Sequence, residues 1–187
     1  MPSAFAHAAI GASLAAHMPH PVRSSHRLWI TGLLAIAAAA PDLDVIGFRL
    51  GIPYDHALGH RGLTHSLFFA AGVGVASWPL WRLARVERAR TASALTFFAV
   101  ASHGLLDAFT DAGLGVGLLI PLDDTRYFAP VRPLLTSPLS VRSFFSPAGL
   151  SILWNEIVWI GPLGVALVLG PVLTRISARL RRDRPSA

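Results

Sequence analysis

The chain has 187 residues, of which 53% are hydrophobic, and its formal net charge at pH 7 is +6. This apolar share is too high for an ordinary soluble domain and indicates one membrane-embedded domain over residues 1–187. The absence of cysteine excludes disulfides, thiolate metal sites and a cysteine nucleophile. The arginines flank apolar runs, as is typical of membrane proteins, so we expect a lipid bilayer and no nucleic acid as partner.

The first two predicted helices are short, and each brings side chains that can bind a metal. Residues 4–16 form a run of small residues interrupted by His7. Residues 28–40 form an alanine-rich run that ends at two carboxylates, Asp42 and Asp44. Because a helix needs about 20 residues to cross a bilayer, the first of these runs is too short to span it alone.

A polar loop and a third helix follow. The loop over residues 53–65 contains His60, Arg61 and His65, and the apolar residues 66–81 predict the helix. The two imidazoles are candidate metal ligands at the start of this helix. The guanidinium is a candidate for binding an anionic substrate group, because arginine pairs bidentately with phosphate.

The fourth predicted helix runs from residue 92 to about residue 112 and carries the most informative motif. His103, Asp107 and Asp111 are spaced four and four, which places all three on one face of a helix. Inside an apolar segment, an imidazole and two carboxylates need a bound cation, a water-filled cavity or partner residues. We therefore expect other polar groups to converge on this face.

The last third of the chain is an irregular loop followed by an apolar run. The Pro/Arg-rich loop over residues 121–147 contains Arg126 and Arg132, which are candidates for binding a substrate or, alternatively, lipid headgroups. The apolar run over residues 150–173 is long enough to cross a bilayer and contains Glu156. A glutamate in such a run favours a metal ligand or a general base over a passive role.

The distribution of arginines predicts the orientation of the chain. Eleven of the 16 arginines lie in three segments, residues 23–27, 82–90 and 175–184. If these segments face the cytoplasm, the N-terminus faces outward, and the candidate ligands gather near the outer, periplasmic side. The fold class that follows is an all-α polytopic transmembrane bundle with about four to five membrane helices.

The collected side chains predict a metal centre. Imidazole nitrogens and carboxylate oxygens form zinc, manganese or iron sites, and four to six such groups can bind one or two ions. The candidate ligands are His7, Asp42, Asp44, His60, His65, His103 and Asp107. Asp44, His60 and His7 can instead be second-shell partners of the ligands, and Glu156 or Asp111 is the candidate general base. A divalent ion at such a site lowers the pKa of a bound water and polarises a phosphoryl or carbonyl oxygen, which favours hydrolysis.

These motifs resemble those of a known family. The matching stretches are His7, Pro-Asp-Leu-Asp at 41–44, His-Arg-Gly-x-Thr-His-Ser at 60–66, His-x-x-x-Asp at 103–107, Arg-Tyr-Phe-x-Pro at 126–130 and Asn-Glu at 155–156. Together they resemble the YdjM-like family of LexA-regulated, inner-membrane-bound, predicted metal-dependent hydrolases. The resemblance implies a multi-pass protein of the bacterial inner membrane. The His-x-x-x-Asp pair is also similar to the metal-binding helix of zinc-dependent phospholipases C, which implies a small-molecule or lipid phosphoester as substrate.

Two other functions remain open. A metal-ion or proton transporter or channel would use the same histidines and aspartates as a relay, but it needs polar stations in both halves of the membrane. Residues 70–80 and 163–173, in the predicted cytoplasmic half, contain no ionisable residue. A non-catalytic scaffold would use the metal only to hold helices together, with every coordination position filled by protein.

Overall fold

The computed structural model describes residues 1–19, 23–138, 144 and 146–182. Within these ranges the regular secondary structure is helical, accompanied by two isolated β-bridges, which confirms the all-α prediction. The α-helices are α1 (Ala4–Leu14), α2 (Ser24–Ala39), α3 (Ile46–Arg49), α4 (Leu67–Leu83), α5 (Ala89–Ala108), α6 (Pro147–Trp159) and α7 (Gly161–Arg182). Short 3-10 helices lie at Ala15–His17, Ala40–Val45 and Leu63–His65.

Two helical stretches among the described residues are long and apolar enough to cross a membrane, Ser24–Arg49 and Pro147–Ala178. Most residues of each stretch are not buried in the protein core. Leu67–Leu83 is apolar but shorter. Length and composition therefore support two crossings, fewer than the predicted four to five.

Small residues let the helices approach closely around the core. A Cβ atom at Gly11 of α1 would lie only 2.3 Å from the carbonyl oxygen of Leu34 in α2. One at Gly74 of α4 would lie 2.8 Å from the Cβ atom of Phe97 in α5. The core that these contacts enclose is apolar, and each fully buried leucine in it, such as Leu34, contributes about 1.5–3 kcal/mol to folding.

Helix α5 ends earlier than the sequence pattern predicts. It stops at Ala108, so the prediction that Asp111 shares its face with the histidine and aspartate before it is wrong. Beyond the helix, the backbone N–H of Asp111 donates to the carbonyl oxygen of Leu134 at 3.0 Å, and Thr110 forms a β-bridge with the same residue. Pairing with a distant segment thus replaces the next helical turn.

The last apolar run forms two helices instead of one. α6 ends at Trp159 and α7 begins at Gly161, followed by Pro162, whose missing backbone N–H suits the first turn of a helix. The backbone N–H of Gly164 still donates to the carbonyl oxygen of Ile160 at 3.0 Å, so the two helices remain joined.

Two loops close one end of the helices. The loop after α5 returns through a β-bridge between Val116 and Tyr127. It is tied to the loop before α4, because the N–H of Gly117 donates to the carbonyl oxygen of Arg61 at 2.8 Å. This end of the fold holds the predicted metal ligands.

Candidate metal centre

Four separate segments bring the candidate ligands together. His7 lies in the middle of α1, Asp42 in the 3-10 helix after α2, and His65 in the 3-10 helix before α4. His103 and Asp107 lie one turn apart near the end of α5. All but Asp42 are fully or almost fully buried, and the Asp42 side chain is 11% exposed. The fold therefore gathers three imidazoles and two carboxylates in its interior.

Gly104 makes room for this convergence. A Cβ atom at this position would lie 2.1 Å from the carbonyl oxygen of His65. Any other residue would push the 3-10 helix away from α5. The glycine next to His103 therefore lets the two histidines meet, with ring centroids 4.6 Å apart.

The donor atoms are spaced as ligands of one ion would be. His103 Nε2 lies 3.1 Å from Asp42 Oδ1, and His65 Nε2 lies 3.7 Å from the same atom. His65 Nε2 is 3.5 Å from Asp107 Oδ2, and His7 Nε2 is 3.4 Å from Asp107 Oδ1. Neighbouring ligands of an octahedral or tetrahedral ion with bonds of about 2.1 Å are roughly 3.0–3.4 Å apart.

The hydrogen bonds of the two histidines indicate which nitrogen is free. His103 Nδ1 lies 2.7 Å from the carbonyl oxygen of Ala38, which can only accept, so Nδ1 carries the proton. His65 Nδ1 lies 3.1 Å from Asp44 Oδ2, which favours the same tautomer. In the neutral rings, both Nε2 lone pairs therefore face carboxylate oxygens. A cation between them, or protonation of the rings, would satisfy such an arrangement of acceptor against acceptor.

Unsatisfied polar atoms concentrate at the same place. Among the described residues, the buried side-chain nitrogen and oxygen atoms without a hydrogen-bond partner belong to His7, Asp42, Arg61, His65 and Asp107. Each such atom costs about 1–3 kcal/mol if nothing satisfies it. A divalent cation would satisfy one atom from each of several of these imidazoles and carboxylates, so the residues present fit a metal ion.

Arg61 balances the charge of Asp107. Its guanidinium is 1% exposed, with Nε 3.1 Å from Asp107 Oδ2. Nη2 donates to Thr110 Oγ1 and Nη1 to the carbonyl oxygen of Ala112, both at 2.9 Å. Its backbone has a φ of 60°, a strained value for a non-glycine residue that is typical of functional sites. These contacts engage the guanidinium inside the protein, and substrate binding by Arg61 stays a prediction.

Asp44 orients His65, and both oxygens of its carboxylate accept hydrogen bonds. Its Oδ1 lies 2.6 Å from Nδ1 of His60, and its Oδ2 accepts from the Thr64 hydroxyl at 2.7 Å and from the N–H of Arg61 at 3.2 Å. Asp44, His60 and His65 are close enough to hold an ion by themselves. Because donors already surround Asp44, we assign it and His60 to positioning His65, the second of the two roles that the sequence left open.

Glu156 and Asp111, the predicted general bases, lie outside the cluster. The Glu156 carboxylate accepts from the backbone N–H of Ser3 and, at 2.7 Å, from its hydroxyl, at the start of α1. Asp111 Oδ1 accepts from the N–H and hydroxyl of Thr136 at 2.9 and 2.7 Å. Both carboxylates connect distant segments, so the geometry gives neither the position of a general base.

The two other predicted substrate arginines differ in exposure. Arg126 donates to the carbonyl oxygens of Tyr54 and His60 at 2.9 and 3.0 Å, and thereby holds the loop before α4. Partial burial lowers the pKa of the Arg126 guanidinium, which nevertheless stays protonated at physiological pH. Arg132 is exposed, with its guanidinium 4.7 Å from the centre of the Phe128 ring. Of the pair, Arg132 is the one available at the surface.

Two supporting contacts of the centre were absent from the sequence prediction. The carbonyl oxygen of Ala38 fixes His103, but a backbone group leaves no mark in a sequence. The Thr64 hydroxyl bonds Asp44 and lies 3.0 Å from Nδ1 of His65. Its place next to His65 in the motif was the one available signal.

Comparisons with known proteins agree with the motifs. A model of the YdjM inner membrane protein family matches residues 1–180. The Escherichia coli (strain K12) protein named "Inner membrane protein YbcI" is 36% identical over 174 residues, which cover 90% of this chain and 95% of that protein. No solved structure shows a significant match.

Proposed function

The chain belongs to the YdjM inner membrane protein family, and from that premise we propose that it is a metal-dependent hydrolase of the bacterial inner membrane. The membership confirms the predicted family and the inner-membrane location. The activity, the metal and the side of the membrane are our inference from the buried cluster.

One observation carries the proposal, the convergence of acceptor atoms on a single buried point. Nε2 of His65 and of His103 face carboxylate oxygens of Asp42 and Asp107 at 3.1–3.7 Å. These four residues would hold the ion, and His7 is the candidate for a fifth ligand. A zinc, manganese or iron ion bound there supplies a water of lowered pKa and polarises a phosphoryl or carbonyl oxygen.

The chain's own residues prepare the ligands for this chemistry. Asp44 and the carbonyl oxygen of Ala38 hold His65 and His103 in the tautomer that leaves Nε2 free. Arg61 offsets the charge of Asp107 and limits the cost of burying it. A cluster prepared in this way favours tight binding of a resident ion.

The surroundings of the cluster favour a closed-ended site over a transport path. On the side toward the α4–α5 turn, the described core consists of apolar side chains such as Leu34, Leu95 and Ala99. Among the described residues of this part of the core, the one buried polar side chain is that of Thr96, which is not ionisable. A relay of protons or metal ions needs ionisable stations across both halves of the membrane.

Access and orientation suggest where a substrate approaches. Asp42 has the most exposed side chain of the candidate ligands, so we place the opening beside it. The cluster lies at one end of α4 and α5, and the arginines of residues 82–90 lie at the other end. The positive-inside rule then directs the opening to the periplasmic side, where a small-molecule or lipid phosphoester would be hydrolysed.

The test combines metal content with activity. Detergent-purified wild type, His103→Ala and Asp107→Ala are analysed by elemental mass spectrometry and assayed for phosphoesterase turnover, with His17→Ala as control because His17 is exposed and remote from the cluster. We expect stoichiometric metal and metal-dependent turnover in the wild type and the control, and the loss of both in the two cluster variants.

Two outcomes would overturn the proposal. Folded wild type that binds no zinc, manganese or iron after incubation with each ion would remove the metal centre. Bound metal without turnover, combined with metal-ion or proton flux in proteoliposomes, would show that the protein is a transporter and not a hydrolase.

A further inference from the structure

A basic pocket lies at the turn between α4 and α5, at the opposite end of these helices from the metal centre. It has a volume of about 600 Å³ and is lined by Arg82, Arg85, Arg88 and Arg90, all exposed. Glu87 is the single acidic residue lining it. The pocket therefore has a strong excess of positive charge and suits an anionic group.

The turn that carries these arginines is ordered by its own contacts. Val86 is 7% exposed, and its N–H donates to the carbonyl oxygen of Trp81 at 3.0 Å. The N–H of Arg85 donates to the carbonyl oxygen of Arg82 at 2.9 Å, and Arg85 has a φ of 55°. This conformation places the arginines around the pocket before any ligand arrives, which reduces the ordering cost of binding.

An apolar groove continues from the basic pocket along α4 and α5. It has a volume of about 540 Å³, and Trp78 and Arg90 line both the groove and the pocket. Its walls include Val75 and Phe98, which are 73% and 54% exposed. A positively charged pocket joined to an apolar groove matches a molecule with an anionic head and a hydrocarbon tail.

We propose that this combined site binds an anionic phospholipid, with its phosphate among the arginines and an acyl chain in the groove. Guanidinium groups pair bidentately with phosphate oxygens, and each basic residue near a membrane surface adds to the attraction for anionic lipid. Trp78, with the Arg82 guanidinium 5.7 Å from its ring, lies at the boundary between head and tail. The groove distinguishes a lipid from a soluble phosphate compound, which would use the basic pocket alone.

This site is separate from the metal centre. Ala89, at the start of α5, and His103 are 14 residues apart on one helix, a distance of about 20 Å at 1.5 Å per residue. The bound lipid is therefore not the molecule that would be hydrolysed, and the inference stands whether or not the proposed hydrolase activity does.

Native mass spectrometry of delipidated, detergent-purified protein tests the proposal. Dioleoyl phosphatidylglycerol is titrated against dioleoyl phosphatidylcholine, and glycerol phosphate serves as the soluble headgroup without chains. Two arginines of the pocket are changed together, Arg82→Gln and Arg88→Gln, and the matched control changes Arg49→Gln and Arg181→Gln, which are exposed elsewhere. Ala94→Trp fills the groove from an exposed position.

We expect the wild type and the control to prefer phosphatidylglycerol, and the double variant of the pocket to bind it at least roughly tenfold more weakly. Ala94→Trp should weaken binding of the diacyl lipid, whereas the preference for the phosphatidylglycerol headgroup should stay unchanged. If the melting temperature of Ala94→Trp falls, Val75→Trp takes its place, because Val75 also lines the groove and is 73% exposed.

Two results would overturn the proposal. The first is equal affinity of the pocket variant and the wild type for phosphatidylglycerol. The second is binding of glycerol phosphate as tight as that of the lipid, which would show that the pocket serves a soluble phosphate compound and that the groove is not part of the site.

Discussion

The two ends of the α4–α5 pair differ in whether their charged side chains are buried or exposed. At the metal-centre end, His65, His103 and Asp107 are almost completely buried. At the other end, the arginines around the turn are exposed. A buried charge is costly unless partners compensate it, whereas an exposed one costs little and contributes little to stability. We therefore expect substitutions at the metal-centre end to reduce the stability of the protein more than substitutions at the arginine end.

Removal of Asp107 should have the largest effect. Asp107→Ala leaves the buried Arg61 guanidinium without its carboxylate, and breaking such a pair costs about 3–5 kcal/mol. We expect a clear fall in melting temperature by circular dichroism in detergent and loss of bound metal. The double variant Asp107→Ala with Arg61→Met should recover much of the stability but none of the metal. Failure to recover it would show that the ion pair is not the source of the loss.

Weakening the orientation of His65 should have a smaller effect that is specific to the metal. Asp44→Asn removes the charge that holds Nδ1 of His65, and loss of such a partner typically lowers metal affinity 10–100-fold. Competition with a zinc chelator measures the change, with Asp124→Asn as an exposed control. Unchanged affinity would mean that Asp44 does not act through the ion.

The contact between Glu156 and Ser3 should affect stability more than chemistry. Ser3 is the N-cap of α1, and its loss in Ser3→Ala should cost about 1 kcal/mol. Glu156→Gln keeps a similar shape, so turnover should stay within a few-fold of the wild type. A drop of roughly a hundredfold or more in turnover at unchanged stability would instead restore Glu156 as general base, as the sequence alone predicted.

Single changes at the arginine end should have the smallest effect on folding. Arg88→Gln should change stability by no more than about 0.5 kcal/mol, because the side chain is exposed. Thermal melting in detergent without added lipid measures this. A large loss would show that the turn depends on its charges for folding, and the contrast between the two ends would disappear.

The sequence was sufficient to predict contacts between residues that are close together along the chain. His103 and Asp107 meet because they are four residues apart on a helix, and no other part of the fold is needed for that. Asp42 and His65 could be suspected as partners from their place at helix ends. Their convergence, however, depends on close helix packing that residue types do not specify.

The sequence failed where distant segments decide the outcome. Asp111 continues the four-residue spacing, but pairing with Leu134 ends the helix before it. The partner of Glu156 is 153 residues away in Ser3, so its hydrogen bonds have no local signal. The burial of Arg61 beside Asp107 is of the same kind. In each case the sequence showed a polar residue but not the distant segment that it contacts.

The origin of the cluster in four segments also bears on how the protein is made. The candidate ligands span residues 7 to 107, so no shorter length of the growing chain contains the complete site. An ion that bridges these segments acts as a cross-link over a loop of about 100 residues, and its binding energy becomes folding energy. If the proposed ion binds, it can be loaded only after Asp107 has been synthesised, and a shortage of the ion would leave newly inserted chains less stable.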